Sequence, residues 1–442
     1  MTVASRGAAL RDRNPLPPGT VAVGAGLAVT GIASYGYLVI SARVLGPAEA
    51  GSLSVLWALV FMLGGIFLPF EQEVSRRLVG RRVAGLGGRS IARRALALGA
   101  VLVAVLVVVI GVAAPTLSDR LFNGQSLLVV GLMLGAAGYL VANWTEGVLS
   151  GSGRFGRYGG YLGAEALLRL GFCLVLLAVG VRTAGPIGLA LGLAPLVVAL
   201  PALWWRRDHH LEEPEVAWRE LAAGLGKLLA AAVLAQALIN ASPVLLQLLA
   251  GPEQAAEVGI FGAALVVARV PLFLFQALQA VLLPALAALA VAERFAEFRA
   301  GVRRMVVVVA ALGAAGVLVA YAIGPAVILR VFGPAFPVDR RTVGLLAGAS
   351  AFFMLATTLA QALIALGGAA QVAGGWGAGV VAMAAVVAVG NDPLFTVEMA
   401  FLIATVVATA AMAILLRRAM GRGATPTRET ALEAINDIAF EV

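Results

Sequence analysis

The side chains of this sequence that can do chemistry are charges and amides set inside apolar runs. Arg269 stands about eleven residues from either end of GIFGAALVVARVPLFLFQALQAVLLP, which places it near the midplane if that run crosses a bilayer. No carboxylate lies within four residues of it and the midplane offers no water, so the position predicts a cation lining a cavity. Gln276 and Gln279 follow at i+7 and i+10 and extend a polar stripe along the same helix. Glu165 and Arg169, four residues apart in GAEALLRLGFCL, share a helix face and can form an ion pair. Another apolar run carries Asn143, Thr145 and Glu146, a further one carries Gln236, Asn240 and Gln247, and Arg43 closes the first. Charges placed this way suit the binding and passage of a charged ligand through a membrane.

The stretch FLPFEQEVSRR, residues 67–77, adds two carboxylates where an apolar run ends. Glu73 has Arg76 and Arg77 at i+3 and i+4, the spacing of a self-paired collar. Glu71 follows Pro69 by two residues and has Ser75 at i+4, so its own helix offers it no evident partner. It is a candidate gate residue, pairing across the molecule with a cytoplasmic arginine when the inner mouth closes. Structural roles stand beside the functional ones. Glu165 with Arg169 can be a pair that only neutralises itself, and Arg43 can snorkel to headgroups. Gln236, Asn240, Gln276 and Gln279 can be hydrogen-bonding glue between helices.

The elements that must position these residues follow from composition. Of 442 residues 61% are hydrophobic and 12% charged, too few charges to cover a water-soluble surface, so the class is a polytopic membrane protein. A net charge of +9 would suggest nucleic acid in a soluble protein. Here the arginines lie between apolar runs, where they set topology and meet lipid headgroups, and no nucleic-acid partner is expected. The single cysteine, Cys173, lies in an apolar run and excludes a disulfide framework. His209 and His210 lack further ligands at metal spacing. No GxxxxGK[ST] loop is present, which argues against ATP-driven transport, and no cofactor is expected.

Apolar runs long enough to span about 30 Å of hydrocarbon fall near 20–42, 51–72, 95–114, 127–149, 160–181, 186–205, 225–249, 258–284, 305–325, 342–366, 371–389 and 394–416. With the N-terminus cytoplasmic, inward-facing segments hold 23 Lys+Arg and outward-facing ones 6, so both termini are expected on the inside. ARVLGPAEAG (42–51) recurs as LLAGPEQAAEVG (248–259), and GLMLGAAGY (131–139) as GLLAGASAF (344–352), each between runs six apart. The fold expected is therefore all-α, about twelve transmembrane helices in two six-helix lobes related by a pseudo-two-fold along the membrane normal. The domains are an N-terminal tail 1–19, an N-lobe 20–205, a charged inter-lobe loop 206–220, a C-lobe 221–417 and a tail 418–442.

Two stretches carry a resemblance. SYGYLVISARVLGPAEAGSLSVLW with FLPFEQEVSRR, and GVLSGSGRFGRYGGYLGAEALLRL (147–170), resemble the polysaccharide-transporter branch of the multidrug/oligosaccharidyl-lipid/polysaccharide exporter superfamily. The resemblance implies a flippase of the bacterial cytoplasmic membrane that moves an undecaprenyl-pyrophosphate-linked glycan by alternating access around a cationic cavity. It would make and break no bond and have no catalytic residues. Arg169 and Arg269 would bind phosphate oxygens, with Arg43, Gln276, Asn240 and Gln236 completing the substrate site and Glu71, Glu165 and Glu146 serving as gate or ion-pair residues. Membrane lipids and glycan polymerases or glycosyltransferases are the partners implied. The rivals are a cation-coupled multidrug exporter of the same superfamily, whose usual acidic residue in the first span is missing here, and a scaffold docking glycan-synthesis enzymes through the helically periodic tail 429–442.

Overall fold

Long apolar runs interrupted by glycine, proline and arginine can satisfy their backbone in lipid only as helices. The computed structural model describes residues 19–203, 218–272, 275, 289–290 and 292–421. Among them are thirteen α-helices and no strand. These are α1 (Thr20–Leu45), α2 (Pro47–Val83), α3 (Arg89–Val112), α4 (Ala114–Leu121), α5 (Ser126–Gly151), α6 (Phe155–Ala178), α7 (Ala184–Leu203), α8 (Trp218–Ala250), α9 (Ala255–Ala268), α10 (Phe295–Val331), α11 (Arg340–Ala365), α12 (Ala369–Val389) and α13 (Pro393–Gly421). Eleven of the described helices are long and apolar enough to cross a membrane. With the apolar α7 they fall on the twelve expected spans, the eighth of which, 258–284, is described through residue 272. The ends differ from the sequence reading: α2 and α10 each run 37 residues, about 55 Å, because their arginine-bearing ends continue as helix beyond the hydrocarbon. The short α4 was not expected.

The duplication is legible in the packing. In the first half α1 lies on α6, α2 and α3 on α5, and α7 on both α5 and α6. In the second half α8 lies on α12, α9 and α10 on α11, and α13 on both α11 and α12. Counted as spans, every one of these pairs recurs six spans later. The turns that open the two halves match as well: Gly46 and Gly251 adopt φ of +79° and +76°, each is followed by a proline, and a side chain would disfavour that left-handed backbone.

The halves touch at the end of the bundle that holds these two turns. There α2 crosses α9 with Gly51 against Gly259, and a Cβ on Gly259 would lie 1.9 Å from the Pro47 carbonyl oxygen. The Gln247 amide donates to Asn123 Oδ1 at 3.1 Å, joining α8 to the loop before α5. The Tyr35 hydroxyl of α1 donates to the Val266 carbonyl of α9 at 3.2 Å. Arg43, at the last turn of α1, donates to the carbonyls of Arg330 and Val331 at 3.4 and 3.3 Å. Those carbonyls end α10, where a helix favours a cation.

Candidate functional site

Below that closed end, α2, α5, α6, α7 and α8 surround a cavity of about 200 Å³. From α2 it receives Phe61 and Glu71; from α5, Tyr139, Asn143 and Glu146; from α6, Glu165; from α7, Pro195. Helical periodicity explains the α5 contribution, because Tyr139, Asn143 and Glu146 stand at i, i+4 and i+7 and share one face. The second lobe contributes Gln236 of α8, which comes up against Gly65 of α2, where any side chain would collide with it. One cavity is thus lined from both lobes.

Its chemistry is acidic and aromatic. Glu71 accepts a hydrogen bond from the Tyr158 hydroxyl at 3.2 Å, and Glu146 lines the same space. Glu165 is bound by Arg169 Nη1 at 2.9 Å. Arg169 is 2% exposed; its Nη2 donates to Ser34 of α1 at 2.7 Å, and its guanidinium lies 5.2 Å above the Trp57 ring. Trp57 stacks on Phe61 at 4.6 Å between centroids, and Phe61 meets Tyr139 edge-on at 5.6 Å. The aromatic series therefore runs from Arg169 to the cavity wall.

The expectation of a cationic cavity does not hold for this space. Three glutamates line it, and neither Arg169 nor Arg269 is among the lining residues. Arg169 is packed behind Glu165, where it balances that carboxylate in an enclosed, low-dielectric setting. Arg269 is turned toward α8. It occupies the C-cap of α9, two residues before Pro271, and its Nη2 donates to the Ile239 carbonyl. Its Nη1 donates to Asn240 Oδ1 at 3.4 Å. The Asn240 amide in turn donates to Gln236 Oε1 at 2.8 Å. The polar residues of α8 and α9 thus form one chain from the cavity to Arg269.

Of the expected site residues, Glu71, Glu146, Glu165 and Gln236 line the cavity, while Arg169, Asn240 and Arg269 stand behind its wall. Arg43 lies apart, at the closed end. Gln276 and Gln279 lie outside the described residues, as do most of the inter-lobe loop and the tail 429–442. Glu73 is 3% exposed and is held by Arg76 at 2.8 Å and by Arg77, so the collar is present but its carboxylate is buried rather than solvated. The sequence reading missed Tyr139, Tyr158 and Trp57, which a count of aromatics at helical spacing from the glutamates would have flagged. It also missed Glu398, fully buried in α13, which accepts from the Thr342 hydroxyl at 2.5 Å and from Arg341 at 3.4 Å; an acid inside an apolar run was the signal there.

No family model matches the chain. It is 29% identical over 363 residues to the uncharacterized protein Rv3630 of Mycobacterium tuberculosis (strain ATCC 25618 / H37Rv), covering 80% of each chain. It is 28% identical over 374 residues to the uncharacterized protein Rv1510 of the same strain, covering 83% of this chain and 82% of that one. Among solved structures it is similar to the inward-facing conformation of a multidrug resistance MATE family transporter of the MOP superfamily, with TM-score 0.72 and 14% identity over 91% of this chain and 98% of that one. An outward-facing MATE transporter matches at TM-score 0.63 and 14% identity, over 92% and 95%. A MOP superfamily transporter from Pyrococcus furiosus, described as having a binding pocket of reverse polarity, matches at 0.63 and 13%, over 91% and 95%. The chain has the two-lobed fold of the MATE transporters.

Proposed function

We propose that this protein is an exporter that works by alternating access, its lobes rocking about the acidic cavity, and that cation uptake at the cavity glutamates drives it. The observation that carries the reading is the placement of Glu71, Glu146 and Glu165 on three helices of one lobe around a space that Gln236 of the other lobe closes. Ionisable groups at this depth are expensive and belong to ion or substrate paths. Arg169 already balances Glu165. Glu71 and Glu146 face the same space from α2 and α5, where neighbouring carboxyl groups can take up a proton or another cation. Closure at the Gly46/Gly251 end, together with the higher similarity to an inward-facing transporter, supports a state open on the opposite side.

For the substrate, the sequence resemblance points to a polyprenyl-pyrophosphate-linked glycan. Carboxylates, amides and tyrosine hydroxyls beside an aromatic wall can bind sugar hydroxyls, and the resembling segment 147–170 itself supplies Tyr158 and Glu165 to the site. Its phosphates would then lie outside this acidic cavity, where arginines stand at the end of α2, the start of α3 and in the α5–α6 turn. A second reading, an organic cation, is favoured by the three glutamates and by the aromatic faces of Phe61 and Tyr139. Both are tested in proteoliposomes carrying an imposed pH or sodium gradient. Transbilayer movement of a labelled polyprenyl-pyrophosphate disaccharide supports the first, and efflux of ethidium supports the second. Movement of neither under any gradient contradicts export and returns the chain to the scaffold reading.

A further inference from the structure

Arg269 of the second lobe has as its partner a backbone carbonyl in the middle of another helix. Pro243 lies inside α8. A proline has no N–H to give the carbonyl four residues earlier, so the helix leaves the Ile239 oxygen without its ladder donor. That oxygen is the one to which Arg269 Nη2 donates. Within lipid a carbonyl left open by proline is tolerated because a neighbouring helix, a Ser or Thr side chain, a water or a local change of helix geometry satisfies it, and here α9 supplies the donor. The same guanidinium holds Asn240 by Nη1 at 3.4 Å, and Asn240 holds Gln236 at 2.8 Å. Gln236 is the α8 side chain on the cavity wall.

We infer that Arg269 is a positioning residue: it fills the hydrogen bond that Pro243 removes from α8 and, through Asn240, fixes the reach of Gln236 into the cavity. A charge is used where a neutral donor would satisfy one oxygen, because the guanidinium fork reaches Ile239 and Asn240 together. This assigns Arg269 to the coupling of the second lobe to the cavity and makes no use of a substrate phosphate. The inference holds whatever the cavity binds, so it stands or falls apart from the export reading.

The test pairs Arg269→Ala with Pro243→Ala, which restores the missing N–H. In detergent, Arg269→Ala is expected to lower the melting temperature of the full chain, and Pro243→Ala/Arg269→Ala to recover most of that loss. An equal loss with and without Pro243 would overturn the carbonyl assignment. Positioning is read separately, in a Cys173→Ala background with Asn143→Cys, by the rate at which a small methanethiosulfonate labels position 143 across the cavity from Gln236. The rate is expected to change severalfold on Arg269→Ala, to stay changed in the thermally recovered Pro243→Ala/Arg269→Ala pair, and to stay changed with Arg269→Lys, whose single ammonium has no fork to reach both partners. A rate unaltered by Arg269→Ala would overturn the positioning role, as would one restored by Pro243→Ala alone.

Discussion

Arg169 and Glu165 lie one turn apart on α6, 2.9 Å between Nη1 and Oε1, with side chains 2% and 15% exposed. The pair forms the back of the cavity and balances one of its three carboxyl groups. Removing the cation alone strands a carboxylate in an enclosed site. Arg169→Ala is therefore expected to cost about 3–5 kcal/mol of stability, read as a fall in melting temperature. Arg169→Met with Glu165→Met is expected to recover most of it, since a well-packed apolar pair replaces a buried ionic one at little cost. A double variant as unstable as the single one would show that Glu165 is held by something else.

The collar on α2 separates two kinds of ion pair. Glu73 is 3% exposed, whereas Arg76 and Arg77 are 30% and 17% exposed. Glu73→Ala leaves both cations without their shared anchor and is expected to cost about 1.5–3 kcal/mol, the value of hydrogen bonds to charged groups. Arg76→Ala leaves Arg77 in place and is expected to cost less than about 1 kcal/mol. Equal costs in thermal unfolding would mean that the carboxylate is anchored elsewhere.

Arg43 ties the two lobes at the closed end through the Arg330 and Val331 carbonyls. Arg43→Ala is expected to favour opening of that end by about 1 kcal/mol, the net worth of such a hydrogen bond. The readout is the inter-lobe distance between spin labels on α1 and α10, which gains a longer component. An unchanged distance distribution would make Arg43 a headgroup contact only.

Gly259→Leu acts at the same end by volume. Its Cβ would sit 1.9 Å from the Pro47 carbonyl, backbone that cannot yield as a side chain does, so α2 and α9 must separate. The same spin-label pair is expected to shift wholly to the longer distance. A variant that keeps the short distance and its stability would show that the crossing is loose.

Much of this molecule was legible beforehand, and the limit has a physical origin. Spans, the six-helix repeat, the Glu165–Arg169 pair and the Glu73 collar are local or periodic features, readable from spacing within one helix or between copies of one motif. The charge of the cavity was not, because it depends on how α6 and α9 are rotated against their neighbours. Arg169 and Arg269 were both read as facing ligand, and both face protein. For Arg269 a signal was present in Pro243, whose i−4 carbonyl needs a donor from another helix, but only the packing of α9 on α8 says which donor supplies it. For Glu71, read as a gate pairing across the lobes with a cytoplasmic arginine when the inner mouth closes, Tyr158 of its own lobe is one partner here.

Alternating access about this cavity is tested most directly by reaching Asn143 from each side of a sealed vesicle. With Asn143→Cys in a Cys173→Ala background, a membrane-impermeant thiol reagent is expected to label position 143 at rest only from the side opposite Gly46 and Gly251. An imposed proton gradient should open labelling from the Gly46/Gly251 side, and Glu146→Gln should abolish that gradient-dependent change. Labelling confined to one side under every gradient, or a change that Glu146→Gln leaves intact, would contradict a transporter driven through these glutamates.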